Sequence, residues 1–149
     1  MKLVIGSDHG GKRLKDAIVA HLKNKQIEIE DIGPFDLESV DYPSYASEVG
    51  TRVAKKKADY GILCCGTGIG MSIAANKLNG VRASVVSDCF SAEATKAHNN
   101  SNVLCLGERV IGEGLALKIV DTWLATEFEG GERHARRLKK VAELEQINN

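Results

Sequence analysis

The fold prediction starts from residues 61–77, which read GILCCGTGIGMSIAANK. The apolar run Ile62–Cys64 predicts a buried strand, and the residues after Gly70 follow a helical pattern. Cys65 therefore stands where the strand ends and a glycine-rich turn begins. Glycines let backbone N–H groups face a bound anion, and the start of the helix adds partial positive charge. The stretch predicts an anion site beside a thiol, in surroundings that favour the thiolate.

The spacing of these glycines matches neither of two familiar phosphate-binding motifs. Gly66-x-Gly68-x-Gly70 departs from the dinucleotide fingerprint G-x-G-x-x-G because position 71 is Met, and no P-loop Gly-Lys-Ser/Thr follows. An alternative interpretation is that the glycines only allow close packing of strand on helix, with Cys65 as a small core residue. The spacing alone leaves both interpretations open.

Strand and helix patterns alternate along the whole chain. Strands are predicted at Lys2–Gly6, Ile27–Ile32, Gly61–Cys65, Val81–Val86 and Asn102–Leu106. Helices are predicted at Lys12–Lys25, Pro43–Lys57, Ile69–Leu78, Asp88–His98, Ile111–Thr126 and Leu138–Ile147. This alternation predicts an α/β fold, a doubly wound, Rossmann-like sheet of about five parallel strands with helices on both faces. No linker or internal repeat interrupts it, so residues 1–149 are expected to form a single domain.

Composition argues against nucleic-acid binding and against a membrane protein. Lys plus Arg and Asp plus Glu number 20 each, so no net charge draws the chain to nucleic acid or to an anionic membrane. No apolar run approaches the roughly 18 residues of a membrane span, and the start MKLVIGSDHGG does not resemble a signal peptide. A cytoplasmic protein is therefore expected. Its four cysteines form neither a spaced disulfide framework nor a C-x-x-C metal pair.

In a doubly wound sheet, ligands bind at the carboxyl ends of the strands. The residues that follow predicted strands are Ser7-Asp8-His9, Cys65-Gly66-Thr67, Ser87-Asp88 and Gly107-Glu108-Arg109. Asp8 and His9 are thus candidates for ligand contact, although Ser7 or Asp8 could simply cap the next helix. His98 lies between a helix end and a strand, where ligand contact and a favourable interaction with the helix dipole are both open.

Other side chains on helices are interpreted by their spacing. The first helix is predicted to bury one face, and His21 on that face is interpreted as structural. The residues of this face are Leu14, Ala17, Ile18, His21 and Leu22. Arg133 and Arg137 are four residues apart, so a helix would present both guanidinium groups together, which suits a phosphate. The alternative is a solvated basic turn. A C-terminal helix could also pack on another subunit and bring these arginines into the neighbour's cleft.

Taken together, these motifs resemble those of the type B ribose-5-phosphate isomerases, part of a wider family that includes galactose-6-phosphate isomerase subunits. The resemblance runs over nearly the whole chain. Its markers are Ser7-Asp8-His9, Asp41-Tyr42-Pro43, the turn Cys65-Gly66-Thr67-Gly68-Ile69-Gly70 with Ser72–Lys77, His98-Asn99, Gly107-Glu108-Arg109 and Gly130-Gly131 leading to Arg133-His134. One departure is Glu132, an apparent extra residue that leaves the choice between Arg136 and Arg137 as a phosphate ligand open.

The resemblance implies an aldose–ketose isomerase of the pentose phosphate pathway that interconverts ribose 5-phosphate and ribulose 5-phosphate without a metal or an organic cofactor. Cys65 is implied as the base that removes the C2 proton, and His98 as the group that opens the furanose ring. Thr67 and Asp8 would act on the oxygens at C1 and C2. The anionic enediolate would be stabilised by the Asn99 side chain and by the backbone of the turn, formed by Gly66, Thr67, Gly68, Ile69 and Gly70.

The same resemblance implies how the substrate is held. Phosphate would bind His9, Arg109, Arg133 and Arg137, the last two from the partner subunit of a homodimer or homotetramer with an active site shared across the interface. Tyr42 would line the site. Some family members have a small residue at the turn and use a carboxylate in the following helix. This chain has Ala75 in that helix, which favours the thiol route.

Three alternatives remain at this stage. The same chemistry could act on a tetrose 4-phosphate or on a hexose 6-phosphate (allose or galactose). The resemblance implies that galactose-6-phosphate subunits generally lack the His98-Asn99 pair and Arg133-His134-x-x-Arg137, so the presence of these residues argues against galactose. The chain could be a nucleotide-binding or regulatory module, since fold does not fix function. It could also be a redox protein that uses Cys64 and Cys65, although adjacent strand residues point to opposite faces.

Overall fold

A parallel five-stranded sheet forms the centre of the computed structural model, which describes residues 1–147. Its strands are β1 (Lys2–Ser7), β2 (Glu28–Asp31), β3 (Tyr60–Cys65), β4 (Ala83–Val85) and β5 (Val103–Gly107), in the order β2-β1-β3-β5-β4. The helices are α1 (Lys12–Asn24), α2 (Tyr42–Ala54), α3 (Ile69–Ala75), α4 (Cys89–Asn99), α5 (Glu113–Ala125) and α6 (Glu132–Leu144). The predicted doubly wound α/β sheet with helices on both faces is confirmed.

The sheet separates two apolar layers. Helices α1, α4 and α5 cover one face, where Trp123 is fully buried, and α2 and α3 cover the other, where Met71 is fully buried. Strand β3 contributes to both layers, because Cys64 belongs to the first and Cys65 to the second. The two thiols therefore face opposite sides of the sheet, as alternation along a strand requires.

The strand order opens a crevice between β1 and β3. The chain passes from β1 outward to β2, then returns through α2 to β3 on the other side of β1. In register, Ser7 pairs with Cys64, and Cys65 pairs with Gly107. Three strands thus end side by side at a topological switch point, where open α/β sheets bind ligands.

Most predicted boundaries shift by up to three residues (α2 ends at Ala54 and α3 at Ala75, each three residues early), and the last helix and β4 differ for identifiable reasons. The last helix begins at Glu132, not Leu138, because Gly131 is extended (φ −59°, ψ 149°) and Glu132 suits the first helical turn. Strand β4 has three residues, since the N–H of Val81 donates to Leu78 and that of Arg82 to the Asn102 side chain. These N–H groups are therefore not available to the sheet.

The buried face of α1 also differs from the prediction. It consists of Leu14, Lys15, Ile18, Val19 and Leu22. Ala17 and His21 are only partly buried, and His21 Nε2 lies 2.8 Å from Asp121 Oδ1 on α5. His21 therefore links two helices, which agrees with a structural role. Within residues 1–147, no helix is both long and apolar enough to cross a bilayer.

Candidate active site

Cys65 closes β3 and meets the glycine-rich turn directly. The residue is 6% exposed, and its Sγ accepts a hydrogen bond from the backbone N–H of Gly68 at 3.0 Å. Gly68 has φ +80°, a left-handed conformation that glycine adopts at little cost. This hydrogen bond fixes the position of the sulfur at the start of the turn. The turn is therefore shaped around a sulfur atom that can act as a base.

The turn lies directly on the end of β5, with no space for side chains between them. A Cβ built at Gly107 would lie 2.7 Å from the carbonyl carbon and oxygen of Thr67. A Cβ built at Gly68 would lie 3.1 Å from the carbonyl carbon of Leu106. This close approach fixes the backbone of the turn, while Thr67 itself is exposed. Its Oγ1 accepts the N–H of Ile69 at 3.2 Å, where α3 begins.

Asp8 follows β1 and has two roles in the structure. Its Oδ1 accepts the N–H of Gly11 at 3.0 Å, so the capping interpretation is correct. The same oxygen faces the crevice. A Cβ built at Gly10 would lie 3.3 Å from Asp8 Oδ1, 3.5 Å from the nitrogen of Gly66 and 3.8 Å from Arg109 Nη2. Because Gly10 has no side chain, a small space remains there, bordered by the Asp8 carboxylate, the Gly66 nitrogen and the Arg109 guanidinium.

His9 and Tyr42 border the same crevice. The Nδ1 atom of His9 accepts the N–H of Val40 at 3.2 Å, so the neutral ring carries its proton on Nε2 and can donate it to a ligand. A Cβ built at Gly70 would lie 3.0 Å from Cε2 and Cζ of Tyr42, which places that ring against the turn. The loop before α2 therefore forms one wall of the site.

Arg109 completes this group from β5. Its backbone N–H donates to the carbonyl of Gly66 at 3.0 Å, and its side chain is exposed beside the turn. The carboxyl ends of three strands thus bring together a thiol, N–H donors, a carboxylate, an imidazole and a guanidinium. The residues of this carboxyl-end group are Asp8, His9, Tyr42, Cys65, Gly66, Thr67, Gly68, Ile69, Gly70 and Arg109. Such a group can remove a proton from a carbon acid and hold a phosphate.

The other predicted residues lie at the opposite end of the sheet. His98 and Asn99 end α4, and after three intervening residues the chain enters β5 at Val103. They are thus separated from Cys65 by about the length of that strand, roughly 15 Å. Arg133 and Arg137 lie on α6, which packs on α4 through the stacked rings of His98 and His134, with centroids 4.6 Å apart. One chain does not bring these four residues to the thiol.

Comparison with known proteins agrees with this architecture. Residues 3–141 match the model of the Ribose/Galactose Isomerase family. The chain belongs to this family.

Relatives in the family span the chain from end to end. Ribose-5-phosphate isomerase B of Escherichia coli is 49% identical over 148 residues, which cover 99% of each chain. The solved structure of ribose-5-phosphate isomerase B from Clostridium thermocellum is 50% identical, with a TM-score of 0.98 over 100% of both chains. The enzyme from Mycoplasma genitalium, solved with bound ribulose-5-phosphate, is 44% identical, with a TM-score of 0.93 over 97% of this chain and 96% of that one. The family resemblance found in the sequence is confirmed.

Two of the other thiols lie deeper in the core than Cys65. Cys64 and Cys105 are fully buried, and burial raises the pKa of both, so their protonated forms are favoured. Cys64 also faces the opposite side of the sheet from Cys65. A redox pair of Cys64 and Cys65 therefore has no support from the geometry of this family member.

Sequence reasoning missed several residues that hold the site in shape. Glu108 Oε2 accepts the N–H of Leu14 at 3.0 Å, which ties the end of β5 to the start of α1. Its place directly after a strand was a signal, but no motif in the sequence indicates what Glu108 does there. Lys15 is fully buried and contacts both carboxylate oxygens of Asp31 at 2.7 and 2.8 Å. A lysine on a helix carries no sequence signal for such a pairing.

The Lys15–Asp31 pair matters because it anchors the loop that forms the wall. Asp31 Oδ1 also accepts the N–H of Gly33 at 2.8 Å. The carbonyl of Gly33 in turn accepts the N–H of Ser7 at 3.1 Å. The loop that reaches Val40 and His9 is thus fastened both to α1 and to the end of β1.

Proposed function

We propose that this chain interconverts ribose 5-phosphate and ribulose 5-phosphate through an enediolate, with Cys65 as the base. The hydrogen bond from the Gly68 N–H to Cys65 Sγ carries the proposal, because it holds a thiol beside the N–H groups of the turn at the switch point of the sheet. The names of full-length relatives at 49–50% identity support the same reaction. A phosphorylated substrate of this kind is found in the cytoplasm, where we place the protein.

In this mechanism the thiolate takes the C2 proton of the open-chain aldose. Negative charge then develops on the enediolate oxygens, beside the N–H groups of the turn and the start of α3, which act as an oxyanion hole. Asp8 and Thr67 contact the oxygens at C1 and C2 and assist proton transfer between them. Transfer of the C2 proton to C1, and of the hydroxyl proton from O2 to O1, gives the ketose.

A second copy of the chain supplies the remaining residues. Each chain carries the carboxyl-end group at one end of its sheet and His98, Asn99, Arg133 and Arg137 at the other. A two-fold axis can bring the second group of one subunit to the first group of its partner, and this forms two equal sites. His98 then opens the ring and Asn99 donates to the enediolate, while the arginines join His9 and Arg109 at the phosphate.

Exposed apolar side chains near β4 support such an assembly. Ile69 and Ile73 on α3 are 53% and 59% exposed, Val85 is 41% exposed and Phe90 is 80% exposed. Together they lie toward the β4 edge of the sheet, and patches of this kind mark protein interfaces. We propose a homodimer, or a homotetramer built from such dimers, in which α6 packs on the partner subunit.

A coupled assay tests the function. Purified protein is given ribose 5-phosphate, erythrose 4-phosphate or allose 6-phosphate, and the Cys65→Ala variant is assayed beside Cys89→Ala, a partly buried thiol at the start of α4. We expect fast turnover of ribose 5-phosphate that is lost only in Cys65→Ala. Faster turnover of another sugar phosphate would identify that compound as the preferred substrate. No turnover of any of them would reject the isomerase proposal.

A further inference from the structure

His98, Glu129 and His134 bring three metal-ligating side chains together outside the carboxyl-end group. His98 comes from α4 and His134 from α6, while Glu129 lies between α5 and α6 and donates its backbone N–H to the carbonyl of Ala97 at 3.0 Å. One donor atom from each of the three side chains lies within 4.8 Å of the other two. Three separate parts of the chain thus converge on one point.

The distances within this cluster are too long for hydrogen bonds. His98 Nε2 lies 3.7 Å from Glu129 Oε1, and His134 Nε2 lies 3.5 Å from Glu129 Oε2. An ion held by two bonds of about 2.1 Å in tetrahedral geometry places its donors about 3.4 Å apart. Two imidazole nitrogens and a carboxylate oxygen are a ligand set that suits Zn²⁺ and related divalent ions, with a fourth position for water.

The two rings need one adjustment to share an ion. They are parallel within 5°, and an imidazole binds metal in the plane of its own ring, so one of them must turn. The His134 side chain is 11% exposed and held in place, whereas that of His98 is 46% exposed and has room to rotate. Formation of the site therefore turns the ring of His98.

We propose that His98, Glu129 and His134 form a binding site for a divalent transition-metal ion of the Zn²⁺ class, and that the bound ion inhibits isomerisation by occupying Nε2 of His98. Inhibition follows because a metal-bound nitrogen can neither accept nor donate a proton during ring opening. This second part rests on the role given to His98 in the proposed function. Binding itself depends only on the geometry of the three side chains.

Calorimetric titration with Zn²⁺ tests the binding. The full chain is compared with Glu129→Gln, His134→Gln and the control Glu127→Gln, which changes an exposed carboxylate in the same connection. We expect one ion per chain, with affinity at least about tenfold weaker in the first two variants and unchanged in the control. Every variant keeps all four cysteines and the other histidines, so equal affinity in all proteins would place the ion outside this cluster and overturn the proposal. Glu129 is 57% exposed, so its replacement leaves the core intact.

Turnover measured at rising Zn²⁺ concentration tests the inhibition. We expect the wild-type rate to fall in step with metal occupancy and Glu129→Gln to resist at the same concentrations. Full turnover at full occupancy would overturn the inhibitory part. A His98→Gln variant that isomerises at the wild-type rate would instead reject the proposed role of His98, while the calorimetric result would still decide whether the site exists.

Discussion

Cys65 and His98 lie at opposite ends of one sheet, because Cys65 closes β3 whereas His98 ends α4 where the chain turns back into β5. If one site uses both residues, they come from different subunits. Cys65→Ala and His98→Gln should then each be inactive alone. Unfolded together in equal amounts and refolded, they should recover about one quarter of wild-type activity, because half the dimers are mixed and each mixed dimer has one intact site.

The measurement is the initial rate of the mixture against each variant refolded alone. Refolded wild type serves as the control for yield. A mixture no more active than its parents would mean that the two residues act within one chain, or that His98 is not required.

Gly68 and Gly80 offer a matched pair for testing the turn. Both have left-handed backbones, with φ of +80° and +81°, but a Cβ at Gly80 would have nothing within 4 Å. Alanine should cost each site about 1–2 kcal/mol of stability for its backbone conformation. Only Gly68→Ala should also lower kcat, because its Cβ meets Leu106 and moves the N–H away from Cys65. Urea unfolding and kcat measured on both variants check this, and equal kcat values would contradict the role of that N–H.

Replacing either partner of the buried Lys15–Asp31 pair should lower the stability of the fold, but by different amounts. Asp31→Asn leaves the fully buried ammonium of Lys15 without its main partner and should cost about 3 kcal/mol. Lys15→Met should cost less, because the Asp31 side chain is 19% exposed and keeps its hydrogen bond from Gly33. Denaturant titration of the two variants gives the comparison. The reverse order would show that the carboxylate, not the ammonium, is the more costly group to leave unpaired.

Lys96 should make stability depend on alkaline pH. Its Nζ is buried 3.2 Å from the ring centroid of Tyr60 and 4.3 Å from that of Trp123, and burial, helped by the nearby charge of Arg82, lowers its pKa from 10.5 to about 8. Between those values the unfolded chain binds more protons than the folded one, so the free energy of unfolding rises with pH. Relative to Lys96→Met, the wild type should therefore gain stability from about pH 8 to 10.5. A stability difference between the two proteins that stays constant over this pH range would contradict the lowered pKa of Lys96.

The positions of Arg136 and Arg137 around the axis of α6 predict which of them binds the phosphate. His134 packs on His98, and along a helix Arg137 lies about 60° around the axis from His134, whereas Arg136 lies about 160° away. Arg137→Ala should therefore raise the KM for the sugar phosphate roughly tenfold or more with a smaller change in kcat. Arg136→Ala should resemble wild type. The opposite result would assign the phosphate to Arg136, the alternative that Glu132 left open.

Parts of this architecture could be predicted because they depend on short stretches of chain. The strand ending at Cys65 and the glycine turn after it follow from an apolar run and adjacent small residues. The start of α6 was missed by six residues because Gly130-Gly131 and the basic run after it look like a loop. In the structure His134 is the buried residue of α6, and its packing on His98 is a contact that no local pattern indicates.

The sequence by itself determined which residues meet at the carboxyl ends of the strands, because parallel strands end at one edge and the residues that follow them must share it. The tertiary structure alone decided the position of His98 and the pairing of Lys15 with Asp31. Strand order and the return of α4 set how far His98 lies from Cys65, and no local pattern records that distance. In the sequence, Lys15 cannot be distinguished from a surface lysine. Its partner Asp31 lies on β2, and only the packing of α1 on that strand brings the two together.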